Sequence, residues 1–363
     1  MRQVSRTQPP HRGLWRSVLG IVLPLVLAGV LLVAVLPAVV GAGWAEIGEA
    51  FASISPAEVV ALTAVWWAGL SLQTVVQRTA LPGLRYGQAL QLNLSGSAVA
   101  NVAPAGGALA MGLNYAMLRS WGIPPSGFGR YTVLTVLVAT LVKLAVLPLA
   151  AAGMLVLGPP APAGVLAGAA AATVLFAGIL AFLRSDRAAA ATAVGADRLL
   201  GLLAPLTRGR RWPDAAERLE GLHGRTARQV RAGGRRFALG AGSYALTQAV
   251  LLWLCLRAVD DTMPATAVLA GYAVERAVTA FPVTPGGSGL AETASAATLV
   301  ALGGAPATVA AAVLLYRGYV TLLEIPLGGI VATAWLARIG MRRRPRAEGG
   351  GGTRLDGPER RDA

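Results

Sequence analysis

A single cysteine, Cys255, excludes an intramolecular disulfide. It lies among leucines, where a thiol packs as a small apolar group rather than reacting. The two histidines, His11 and His223, both fall in basic stretches and leave no His/Cys set from which to build a metal site. Charged residues make up only 13% of the chain, and no Gly-x-x-x-x-Gly-Lys-Ser/Thr stretch is available to cradle ATP phosphates. Any driving force is therefore expected to be a gradient, and neither a cofactor nor a metal is expected.

What the chain has instead is apolar length. It is 55% hydrophobic with a mean hydropathy of +0.59. Its apolar residues form long runs at 17–43, 59–77, 86–118, 131–157, 161–183, 237–256, 263–302 and 305–337. Most of these reach the roughly 20 residues that a bilayer-crossing helix needs. Arg2, Arg6, Arg12 and Arg16 before the first run resemble a secretory signal. The run is too long for a signal core of about 7–15 residues, so it reads as an uncleaved first helix.

The net charge of +15 does not point to nucleic acid, because no nucleic-acid-reading module accompanies the arginines. Residues 184–236 hold twelve arginines against five acids, and "RIGMRRRPR" follows the last apolar run. Arginines beside apolar spans mark the cytoplasmic side. The expected layout is a basic cytoplasmic N-terminus (1–16), a first membrane half (17–183), a basic cytoplasmic loop with interfacial helices (184–236), a second membrane half (237–338) and a disordered cytoplasmic tail (339–363). The loop at 44–58, with Glu46, Glu49 and Glu58, then faces outward.

With both termini and the loop on one side, an even number of crossings separates each from the next. The run 86–118 is flanked by Arg78, Arg85, Arg119 and Arg130 and broken at Pro104, Gly106 and Gly107. It reads as a re-entrant hairpin. The run 263–302 is broken at Pro285, Gly286 and Gly287 and reads as a hairpin from the opposite side. "PAGGALAMGLNYAMLRSWGIP" and "TPGGSGLAETASAATLVALGGAP" form a weak inverted repeat around these breaks. The expectation is an all-α polytopic membrane protein with about six full transmembrane helices and two re-entrant hairpins. Breaking a helix at membrane depth frees polar backbone groups, which are tolerable only beside protein or a wet cavity. A helix restarting near Ser288 would aim free N–H groups at an anion there.

Ionisable residues at the bilayer centre cost about 2.5–3.5 kcal/mol each on insertion scales, so they are candidates for function. They are Lys143, Glu275, Arg276, Glu292, Arg317 and Glu324, three of each sign. Arg317 and Glu324, seven apart, would share a helix face, whereas Glu275 and Arg276 diverge by about 100° and would need separate partners. Lys143 is expected to snorkel or reach a carbonyl. Asn93, Asn101 and Asn114 are expected to bond between helices, and Trp66, Trp67, Trp121 and Trp335 to anchor at the interfaces.

"PVTPGGSGLAE" (282–292), "GGAPATVAAAVLLYR" ending at Arg317, and "EIPLGG" (324–329) resemble the lysylphosphatidylglycerol synthase transmembrane-region family, over roughly residues 17–338. Its members are flippase-like integral membrane proteins, found alone or fused to an aminoacyl-lipid synthase domain. The family commonly carries an acid and an arginine after the first Gly pair. Here Ala108, Leu109, Ala110 and Met111 follow instead, so no charged site is expected in the first hairpin. After residue 341 only a Gly/Arg-rich tail follows, so the resemblance implies the translocating half without the synthetic one.

The function so implied is a non-enzymatic lipid translocase of the inner membrane, for a lipid with an anionic or zwitterionic head group. Aminoacylated and polyprenyl-linked lipids both fit. The head group would sit by Pro285, Gly286, Gly287 and Gly289, with Arg276 and Arg317 as countercharges, Glu292 as the proton- or cation-sensitive partner, and Glu324 beside them. Membrane lipids are the expected partners, with room for a second copy or a partner enzyme. The rivals are a membrane enzyme or accessory subunit acting on lipid-linked substrates, and a non-transporting scaffold.

Overall fold

Pro56, Pro125 and Pro306 each open a helix, where a missing N–H is no loss and the fixed φ suits the first turn. Ser55 adds a capping box, its hydroxyl accepting from the Glu58 amide while its own amide donates to the Glu58 carboxylate at 2.7 Å. The computed structural model describes residues 26–103, 106–157, 162–188, 190–192, 194, 215–280, 284 and 287–343. Of the expected disordered tail, residues 339–343 are helical, which corrects that boundary, while 344–363 and the N-terminal segment 1–25 lie outside the described residues.

Twelve helices are seen among them. They are α1 (Val26–Val40), α2 (Trp44–Ala52), α3 (Pro56–Ala80), α4 (Tyr86–Val102), α5 (Gly106–Ser120), α6 (Pro125–Leu157) and α7 (Ala163–Arg184), then α8 (Ala215–Ala258), α9 (Ala265–Val278), α10 (Leu290–Ala301), α11 (Pro306–Arg317) and α12 (Glu324–Arg343). No strand occurs among the described residues. Counting α11 and α12 together as 306–339, five helices among the described residues are long and apolar enough to cross a membrane, and six if the bent pair α1–α2 is one span. The outward faces are apolar: Val60, Val156, Leu157 and Val174 are 70–81% exposed, as suits a chain solvated by lipid.

Both Gly-Gly breaks are the turns of helical hairpins. In the first, Gly96 of α4 meets Asn114 of α5, and the Ser95 hydroxyl lies 3.3 Å from the Met117 sulfur. These pairs bracket residue 105 almost symmetrically. In the second, Gly271 of α9 lies against Leu299 of α10, symmetric about residue 285. The turns need glycine: a Cβ on Gly106 would come within 2.3 Å of the Ala100 carbonyl oxygen, and Gly287 has φ +73°.

The hairpins open at opposite ends of the molecule. The first starts from the end where Arg78, Arg85, Arg130 and Arg236 surround one cavity. The second starts from the end where Asp261 accepts from the Thr308 hydroxyl at 2.8 Å and the Ala305 amide at 3.2 Å. The long antiparallel pair α3–α8 connects these ends, its backbones brought close by Gly69 against Thr247 and Gly240 against Val76. Trp335 donates to Ser120 at 3.1 Å, so α12 finishes at the arginine end.

Three expectations about elements are corrected. Part of the outward loop 44–58 is the helix α2, turned 89° from α1, with Ile47 buried against the bundle. Residues 215–236 are the first half of the 44-residue α8, continuous with the membrane helix: the stretch has no proline, and its Ala, Arg, Leu and Glu outweigh Gly221, Gly224, Gly233 and Gly234. Trp66 and Trp335 are 4% and 8% exposed and pack in the interior. Trp67, 45% exposed, fits a surface anchor.

Candidate functional site

Four charges from three helices meet just inside the second break. Glu275 and Arg276 end α9, Glu292 lies in the first turn of α10, and Arg317 ends α11. Arg317 Nε donates to Glu292 Oε1 at 2.6 Å, and its Nη1 reaches Glu275 Oε1 at 3.2 Å. Arg276 Nε donates to Glu275 Oε2 at 2.5 Å, and its Nη2 contacts Glu275 Oε1 as well. Glu275 therefore bridges both arginines. The residue is 1% exposed, Glu292 3% and Arg317 7%, so these are desolvated charges that balance one another.

Arg276 differs from Arg317. Its side chain is 15% exposed, its guanidinium lies 5.3 Å over the Tyr272 ring, and Nη2 lies 3.5 Å from the Tyr316 hydroxyl. Tyr272 in turn lines an apolar groove of about 730 Å³ between α6, α7, α8 and α9. One arginine is thus sealed by two carboxylates, while the other stands beside an open apolar channel.

One amide at the helix start in the second break is capped from within the chain. Gly289, at φ +85°, donates its N–H to Glu292 Oε2 at 2.7 Å, closing a capping box. The anion at that amide is the protein's own carboxylate. The same glycine meets α1: a Cβ there would lie 2.5 Å from Leu31 Cβ and 2.8 Å from the Ala28 carbonyl oxygen. Pro285 and Gly286, like Pro104 in the first break, lie outside the described residues. Gly106 and Gly107 begin α5, whose first turn bears no charge.

Two further ionisable groups lie apart. Lys143, the only lysine in the chain, is half-buried and donates to the Thr279 carbonyl at 3.0 Å from the middle of α6, the carbonyl contact expected of it. Glu324 accepts from the Ser97 hydroxyl of α4, not from Arg317. The spacing of seven fails because Gly318–Leu322 is a π-helical turn, with Leu323 bonded back to Gly318 at 2.8 Å. The extra residue rotates Glu324 away. The expected divergence of Glu275 and Arg276 fails too, since a long guanidinium can fold back on its neighbour.

Among the amides, Asn93 donates to Gln73 of α3 at 2.9 Å. Asn101 instead bonds Ser97 on its own helix, and Asn114 Oδ1 is buried without a partner. Sequence reasoning named Glu275 but not its bridging role. It missed Ser97, Tyr272 and Tyr316; the spacing of four between Tyr272 and Arg276 was the only signal.

A family model described as the lysylphosphatidylglycerol synthase TM region matches residues 21–328. The chain belongs to this family. No curated protein matches it. The match covers both hairpins and all four residues of the buried cluster, so the family assignment and the candidate site rest on the same part of the chain.

Proposed function

We propose that the chain is a lipid translocase that moves a lipid with an anionic or zwitterionic head group between leaflets. The observation that carries this reading is the buried Glu275–Arg276–Arg317–Glu292 cluster at the tip of one hairpin, next to an apolar groove. Charges at membrane depth are costly and mark pathways, and breaks in two inverted halves mark a central site. The two hairpins act as re-entrant elements reaching from opposite faces, and the protein sits in the inner membrane with both termini in the cytoplasm.

Chemically, a head-group phosphate arriving beside Tyr272 would compete with Glu275 for Arg276. Glu275 retains Arg317 when it lets go, so the exchange leaves one excess negative charge in the cluster. A proton or small cation taken up with the lipid neutralises that charge and couples head-group binding to a gradient. No covalent step is needed, and the reading is of a transporter rather than an enzyme. One observation favours a second reading: every charge in the cluster has a partner, as in a pair that only sets helix register.

The test is leaflet exchange of labelled anionic lipids in vesicles containing purified Glu292→Gln or Arg276→Gln, each confirmed folded by thermal melting. Transport predicts exchange at least about tenfold slower, equivalent to roughly 1.4 kcal/mol of barrier. For Glu292→Gln the pH dependence should also flatten. Wild-type exchange in both folded variants assigns the cluster to architecture alone.

A further inference from the structure

Away from the buried cluster, at the arginine end, a cavity of about 660 Å³ lies between the α3–α4 turn, the start of α6 and the middle of α8. Arg78, Arg85, Arg130 and Arg236 border it, and no Asp or Glu does among the described residues. Arg78 is steadied by donating its Nε to the Leu84 carbonyl at 3.2 Å. Four guanidiniums facing one space without a carboxylate repel one another, and an anion in that space removes the repulsion.

Phe237, 4% exposed, forms a wall of this cavity and also of the apolar groove. The adjacent glycines of α8 divide the same way, Gly233 lining the arginine cavity and Gly234 the groove. A Cβ at Gly234 meets nothing within 4 Å, so the groove is open along its side chain direction. The groove is lined almost wholly by apolar side chains, with Arg184 as its one charge among the described residues. A phosphate-binding space and an aliphatic channel thus share one wall. Free phosphate has use for the first only, whereas a phospholipid uses both.

We propose that this pair of cavities is a binding site for an anionic phospholipid of the leaflet at the arginine end, its phosphate among Arg85, Arg130 and Arg236 and an acyl chain beside Phe237 in the groove. The site is separate from the buried cluster, and its occupancy does not depend on whether the chain moves lipid. Arg130 and Arg236 come from α6 and α8, which also wall the groove, so the bound lipid would tie these helices together.

The experiment titrates the full chain in detergent with phosphatidylglycerol, phosphatidylcholine or inorganic phosphate, reading bound lipid by native mass spectrometry and stabilisation by thermal melting. Wild type should prefer phosphatidylglycerol to phosphatidylcholine. Arg130→Gln/Arg236→Gln should lose affinity for phosphatidylglycerol by about fivefold per arginine removed. Arg119→Gln, an exposed arginine outside the cavity, should change nothing. Gly234→Leu replaces a helical glycine with a better helix former and fills the groove, so it should weaken phosphatidylglycerol binding with the fold intact. That variant also decides the matter if the double arginine variant fails to fold. Undiminished phosphatidylglycerol binding in the folded double variant, or in Gly234→Leu, overturns the proposal. Inorganic phosphate binding as well as the lipid, insensitive to Gly234→Leu, would make the cavity a free-anion site and overturn it equally.

Discussion

Arg317 holds two carboxylates, and removing it would leave Glu275 and Glu292 buried with less compensation. Arg317→Gln should therefore lower stability by about 3–5 kcal/mol, the cost of breaking one side of a buried pair. Glu292→Gln should cost clearly less, because an amide oxygen still accepts from the Gly289 amide. Melting temperatures of the two purified variants check the order, and equal losses would contradict it. At this scale six ionisable side chains stand out in apolar runs by rarity alone, and the structure brings four of them together. Their pairing was not legible. Side-chain reach let Glu275 and Arg276 meet, and one π-helical turn sent Glu324 to Ser97.

Hairpin and helix packing here depend on close backbone approach, and the clearest case is α12 against α4. A Cβ on Gly328 would sit 2.0 Å from the Leu94 carbonyl oxygen and 2.6 Å from Ala98 Cβ, whereas one on Gly329 meets nothing within 4 Å. Gly328→Ala should push the helices apart at a cost of about 1–3 kcal/mol, as overpacking does. Gly329→Ala, at an open helical position, should be neutral or stabilising by up to about 1 kcal/mol. Thermal melting of the pair distinguishes them, and equal melting would mean that α12 does not seat on α4. The Pro-Gly-Gly breaks were readable as turns because their residues cannot continue a helix. The α2 helix was not, because nine residues between two membrane segments carry the same signal as a loop.

The whole molecule is polarised, with arginines at one end and Asp261 and Glu58 at the other. If the arginine end faces the cytoplasm, a cysteine at Ser126 should react with a membrane-impermeant reagent only after permeabilisation. One at Ala57 should react in intact cells. Cys255 is fully buried, so the native thiol stays silent in this assay. The reverse pattern would invert the topology, and labelling of both sites from outside would mean that the two ends do not lie across a membrane.

Helix class, membrane environment and the positions of both breaks followed from the sequence by itself. Apolar run length, arginine placement and Pro/Gly chemistry are local properties that need no knowledge of neighbours. Only the tertiary structure decided which charges meet. Glu275 became a bridge between two arginines because α9, α10 and α11 converge at the hairpin tip. The arginine cavity likewise joins residues from the end of α3, the α3–α4 turn, α6 and α8, separated by up to 162 positions in the chain, from Val75 to Phe237. Their common location depends on how the long antiparallel helices align, and that alignment is set by small-residue contacts such as Gly240 on Val76, which no single segment encodes.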